Sequence, residues 1–182
     1  MTTGSGNPFW DFSLDVYGRP GVAEACLALQ DRHGLDVNLL LLCCWAGAQG
    51  RTLDSVEVGR LMAAVADWQR RVTRPLRDVR RRLKAMSGAD AHRLGALRQA
   101  VKDCELAAER IAQDLLFDAL PPAAPAGSGE ARPADRAAAN LAAYLAVAGV
   151  AGERGVRADL EAVLQGAFGA LPPGAAERWF PG

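Results

Sequence analysis

The sequence predicts an all-α protein: a helical bundle around a central apolar helix, with a long antiparallel helical hairpin and a C-terminal helical pair. Apolar residues recur at spacings of three and four along most of the 182 residues, which is the period of an amphipathic helix. The longest apolar run is rich in leucine, alanine and cysteine rather than β-branched residues, which favours a helix over a strand. Capping residues, glycines and prolines lie where such helices would begin and end.

The composition is typical of a globular protein. Half of the residues are hydrophobic, and 21 basic residues balance 21 acidic ones, which excludes a wholly disordered chain. Four cysteines are too few for a small disulfide scaffold. The N-terminal residues lack the basic start and apolar segment of a secretory signal, and the apolar run at 39–48 is too short to cross a bilayer. We therefore expect a cytoplasmic protein with reduced thiols and no membrane span.

The first three helices are predicted from their boundaries. Asn7 and Pro8 form an N-cap and first helical position, and a second helix follows the break at residues 18–20. Asp36 caps a third helix at residues 37–49, which has no polar face. Because a helix that is apolar all round must be surrounded by protein, we place it at the centre.

A helical hairpin is predicted for residues 55–119. A fourth helix begins at Asp54 or Ser55, and Pro75 predicts a kink or a fresh start within it. A turn at residues 87–91 leads to a helix whose apolar residues follow a heptad pattern and are expected to face the hairpin's interior. The residues of this predicted seam are Leu94, Leu97, Val101, Cys104, Ala108, Ile111 and Leu115.

The composition changes after the hairpin. Residues 120–136 are rich in proline, alanine and glycine and predict a linker. We therefore divide the chain into a bundle core at 7–119, this linker, a C-terminal helical hairpin at 137–171 and a tail at 172–182. The C-terminal pair is expected to pack on the bundle because its apolar stripes need cover.

Three stretches of the chain resemble a bacterial family of unknown function, domain of unknown function 2390. They read NPFWDFSLDVYGRPGVAEACLALQDRHGLDVNLLLLCCWAG, WQRRVTRPLRDVRRRLK and CELAAERIAQDLLF. The resemblance covers residues 7–119, and its most specific parts are GLDVNLLLLCCWAG and PLRDVRRRLK. It implies no catalytic residue, because the family has no assigned activity.

The strongest functional signal is an asymmetry of charge. Residues 60–84 contain nine basic and two acidic residues, a net charge of +7, whereas residues 1–59 carry −4. When residues 68–86 are placed on a helix, their apolar side chains lie on one side. Five basic side chains lie on the opposite side. We call these five the basic row: Arg70, Arg74, Arg77, Arg81 and Lys84.

The basic row is open to several interpretations. It is either a solvated outer face or a surface that docks an acidic protein. A nucleic-acid or phosphate ligand is less favoured, because the aromatic residues lie on the opposite side of the helix. Glu105 and Glu109 lie one turn apart on the next helix, and they are expected either to form surface ion pairs or to contact the basic row within the hairpin.

Three hypotheses for function follow. The first is a protein-interaction or regulatory module that docks an acidic partner on the basic row. The second is a carrier of a small apolar ligand, with a pocket beside the central helix near Trp10, Leu41 and Trp45. An enzyme has least support, because the sequence has no phosphate-binding loop, dinucleotide fingerprint or zinc-protease motif. The cysteines are expected to be small core residues, and we predict no cofactor and no metal.

Overall fold

The computed structural model describes residues 6–86, 91–121, 131–153 and 155–181. The predicted turn at 87–90 and the linker residues 122–130 lie outside them. No strand occurs among the described residues, and the prediction of an all-α fold is confirmed. The helices are α1 (Pro8–Tyr17), α2 (Val22–His33), α3 (Val37–Ala48), α4 (Ser55–Trp68), α5 (Arg74–Ala85), α6 (Ala91–Ala119), α7 (Pro133–Ala148), α8 (Val156–Phe168) and α9 (Ala175–Trp179).

The N-termini of three helices are fixed by side-chain caps. The Asn7 side chain accepts a hydrogen bond from the Phe9 amide at 3.0 Å, and Pro8 occupies the first turn of α1. Asp36 caps α3 in the same way. Asp54 and Glu57 form a reciprocal capping box at the start of α4. These local contacts explain why the three starts were predictable from sequence.

Helix α3 is buried over nearly its whole length. Ten of its twelve residues, from Asn38 to Gly47, are buried. It contacts α1, α2, α6 and α7, and the contact with α7 is the most extensive. Helix α7 begins at Pro133, inside the segment predicted as linker, so the C-terminal part of the chain packs directly on the apolar helix.

The contact between α3 and α7 depends on a glycine. A Cβ atom added at Gly47 would lie 2.5 Å from the backbone nitrogen of Ala137 and 2.6 Å from its Cα. Backbone atoms cannot move aside as a flexible side chain can, so α7 must shift to admit a methyl group. We therefore expect Gly47→Ala to lower the free energy of unfolding by about 1–3 kcal/mol, measured by urea denaturation.

Gly59 in α4 provides the matched control, because a Cβ there would meet nothing within 4 Å. Gly59→Ala is expected to raise stability by about 0.5–1 kcal/mol through helix propensity alone. If Gly47→Ala were equally stabilising, the close approach of α3 and α7 would be wrong.

Helices α4 and α5 are joined by a π-helical turn, Gln69–Thr73. Pro75 lies in the first turn of α5, where its missing N–H is not needed. A kink or a fresh start was predicted at this proline, and a π-helical turn lies just before it in a helical backbone that continues from α4 into α5. Helix α5 has no buried residue, and Val79 and Met86, predicted to face the core, are exposed.

Only part of the predicted apolar seam of α6 faces inward. Ala108 is buried and Leu94 and Val101 are half-buried. The other four residues are exposed, so the predicted seam was wrong for Leu97, Cys104, Ile111 and Leu115. The buried face of α6 is turned by roughly a quarter of the helix and consists of Glu105, Ala108, Ala112, Gln113 and Leu116. Polar contacts with α5 and α3, described below, hold α6 in this orientation.

Within the described ranges, no helix is both long enough and apolar enough to cross a bilayer.

Candidate functional site

The basic row divides into an outer and an inner part. Arg74 and Lys84 are exposed. Arg70 and Arg81 are also exposed, and each forms one ion pair at the surface, with Asp67 at 2.5 Å and Asp31 at 2.6 Å respectively. We call Arg70, Arg74, Arg81 and Lys84 the exposed basic row. Because these side chains are exposed, each can bind an anion from outside the chain in place of a surface partner.

Arg77 is the exception and faces the interior of the hairpin. Its Nε lies 3.2 Å from Glu105 Oε1 and its Nη2 lies 2.6 Å from Glu109 Oε1. The prediction that all five residues face outward is therefore wrong for Arg77. Arg80, which sequence reasoning left out of the row, also pairs with Glu105. The pairing joins earlier residues of α5 to later residues of α6, so the two helices run antiparallel.

The acidic pair on α6 thus contacts the basic row, as one of the two interpretations of Glu105 and Glu109 predicted. Glu105 is buried and Glu109 is half-buried. A charged side chain of this kind needs a partner, because burial without one costs several kcal/mol. The four-residue spacing of these two glutamates opposite an arginine-rich helix was the available sequence signal.

The network continues into α3. Asn38 donates from its Nδ2 to Glu109 Oε2 at 2.5 Å, and Gln113 donates from its Nε2 to Asn38 Oδ1 at 2.9 Å. Burial raises the pKa of Glu109, while the hydrogen bond from Asn38 and the charge of Arg77 oppose that rise. Both carboxylate oxygens of Glu109 are occupied. The network therefore orients three helices relative to one another.

The three residues of the predicted apolar pocket lie in the hydrophobic core. Trp10, Leu41 and Trp45 are all buried. The Trp45 ring packs between Phe9 and Phe117, with ring centroids 5.8 and 5.6 Å away. The guanidinium of Arg110 lies over Trp10 at 5.5 Å, a cation–π contact. These aromatic residues join α1, α3 and α6.

A cleft of about 530 Å³ lies elsewhere, among α7, α8 and α9. Leu145, Val156 and Trp179 form part of its apolar wall, and Arg157 and Glu177 lie at its polar edge. Its walls belong to the C-terminal part of the chain, far in sequence from the pocket predicted beside α3.

The cysteines fall into two groups. Cys26, Cys43 and Cys44 are buried, as predicted, and burial raises the pKa of Cys26 and of Cys43 to about 12. These thiols stay protonated and unreactive at neutral pH. Cys104 is exposed, which corrects the prediction of a core residue, and the turned face of α6 is the reason. Among the described residues, no group of three or more His, Cys, Asp or Glu side chains could hold a metal ion.

A family model matches the larger part of the chain. Neither the curated proteins nor the solved structures contain a match to the chain. Residues 8–116 match the model of a family described as Protein of unknown function (DUF2390). The matched residues run from α1 almost to the end of α6 and include the whole network around Arg77. Because they make up more than half of the chain, this protein belongs to the DUF2390 family.

Proposed function

We propose that this protein is an interaction module that docks an acidic protein surface on the exposed basic row. The observation that carries the proposal is the asymmetry of α5. Arg77 and Arg80 satisfy the acids of α6, so the outer charges of α5 are not needed to balance the hairpin. Arg74 and Lys84 remain exposed, and α5 buries no residue against the bundle.

The composition of α5 favours a protein partner over a nucleic acid. Val79 in α5 and Met86 just after it are exposed, but they lie on the side of the helix away from the exposed basic row. A single-stranded nucleic acid is usually held by aromatic side chains that stack on its bases, and α5 contains none. Arginine pairs with carboxylates in a bidentate geometry. A protein surface that presents carboxylates therefore fits the exposed basic row best.

A charge-reversal experiment tests the proposal. The variant Arg74→Glu/Arg81→Glu/Lys84→Glu and the wild type are used as tagged full-length baits in extracts of the native cell, after nuclease treatment. We expect the wild type to enrich an acidic protein that the variant loses at least about tenfold. The melting temperature is expected to change little, because exposed charges contribute little to stability.

A second triple variant, Arg60→Glu/Arg132→Glu/Arg178→Glu, changes the net charge equally at exposed positions outside α5. This control variant is expected to retain the acidic protein that the wild type captures. If both triple variants capture the same proteins as the wild type, the exposed basic row docks nothing and the proposal fails. If nuclease treatment removes the captured material, the partner is a nucleic acid instead.

A further inference from the structure

The outward face of α6 presents apolar and small residues to solvent along five turns. Leu97 is 52% exposed, Ile111 is 43% exposed and Leu115 is 37% exposed, and Ala100, Cys104 and Ala107 between them are exposed as well. These positions are three and four residues apart, the spacing by which one helix packs along another. The face lies on α6 and is separate from the exposed basic row of α5.

The same face carries opposite charges at its two ends. Arg93, which begins it, and Asp118, which ends it, are both exposed. Over the whole helix, residues 91–104 have a net charge of +2 and residues 105–119 a net charge of −3, although Glu105 and Glu109 of the second half face α5. This order is opposite to the one that the helix dipole favours, since the dipole stabilises acids at the N-terminus and bases at the C-terminus.

We propose that two copies of this chain associate through this face, with their α6 helices antiparallel. In the register that places Arg93 of one copy beside Asp118 of the other, Ile111 of each copy meets Ala100 of its partner copy. Cys104 then meets Ala107, and Leu97 lies beside Leu115. The small residues Ala100, Cys104 and Ala107 at the centre let the two helices approach closely, leucines pack together towards each end, and two symmetric ion pairs close the ends.

Charge complementarity selects this occupant and this direction. A parallel pair would place Arg93 against Arg93 and Asp118 against Asp118, and like charges brought together are repelled. An antiparallel pair reverses both contacts and also opposes the two helix dipoles. The interface is isologous, so it closes with two copies and forms no filament.

The first test uses the unmodified chain. Sedimentation equilibrium over the micromolar range should give a mass that approaches twice 19.2 kDa. In the proposed register the two Cys104 residues are roughly 10 Å apart. A short bis-maleimide should therefore join two copies through Cys104, while the buried Cys26, Cys43 and Cys44 stay unlabelled. Cys104→Ser is the control and should give no joined product.

The second test separates this face from the rest of α6. Ala107→Arg adds a charge at the centre of the face and should weaken association at least about tenfold. Leu106→Arg is its control, because Leu106 is exposed and points about 100° away on the helix. Arg93→Glu should also weaken association about tenfold, and Arg93→Glu/Asp118→Arg should restore it, because the reversed charges attract again.

A chain that stays monomeric at the highest concentration and gives no joined product would overturn the proposal. So would association that survives both Ala107→Arg and Arg93→Glu. If a variant fails to fold, the cross-link in the unmodified chain still shows whether two copies associate through this face. None of these results depends on the acidic partner proposed above, because that partner is absent from the purified chain.

Discussion

Arg77→Ala is expected to lower the free energy of unfolding by about 3–5 kcal/mol. The Arg77 side chain is only 18% exposed and holds both Glu105 and Glu109. Its removal leaves Glu109 with Asn38 alone and Glu105 with Arg80 alone. Partly buried carboxylates that lose a charged partner retain the cost of desolvation. Urea denaturation followed by circular dichroism measures the loss.

Arg81→Ala is the matched control, one turn along the same helix. Its ion pair with Asp31 joins two side chains that are each 52% exposed, and such pairs contribute about 0–1 kcal/mol. Equal losses in the two variants would contradict the inner position of Arg77. Arg77→Lys should recover only part of the stability, because a lysine cannot contact both glutamates with a planar fork.

Local signals made much of the fold predictable. The first and third helices begin at the residues that their caps indicated, because Asn7 and Asp36 each contact an amide two positions ahead. The third helix is buried because residues 39–46 offer solvent no polar side chain on any face. These features depend on neighbouring residues or on composition. Both can be read from a single amino-acid sequence.

The orientation of α6 could not be predicted in this way. Its apolar heptad pattern predicts an inward seam, yet Glu105 and Gln113 are buried and Leu97 is exposed. The burial of Glu105 depends on Arg77, 28 residues earlier in the chain, and the network also needs Asn38. Hydrophobic periodicity carries no information about such partners. The same limit explains two wrong predictions, which put Arg77 at the surface and Cys104 in the core.

Asn140→Ala is expected to lower the free energy of unfolding by about 3 kcal/mol or more. Asn140 is fully buried in α7. Its Oδ1 accepts from the Leu53 amide at 2.6 Å, and its Nδ2 donates to the carbonyls of Cys43 and Arg51 at 3.1 Å each. Alanine would leave all three backbone groups without this partner. Urea denaturation measures the loss, and hydrogen exchange should become faster at the Leu53 amide.

Gln99→Ala is the control for Asn140→Ala, because it removes an exposed amide whose bond to Asp103 lies at the surface. Its effect should stay within about 0.5 kcal/mol. Unchanged exchange at Leu53 in Asn140→Ala would contradict the buried contact. Asn140 lies beyond the matched residues 8–116, yet it bonds to the backbone within α3 and in the segment before α4. A large loss in one cooperative transition would therefore mean that the family region depends on α7 for its stability.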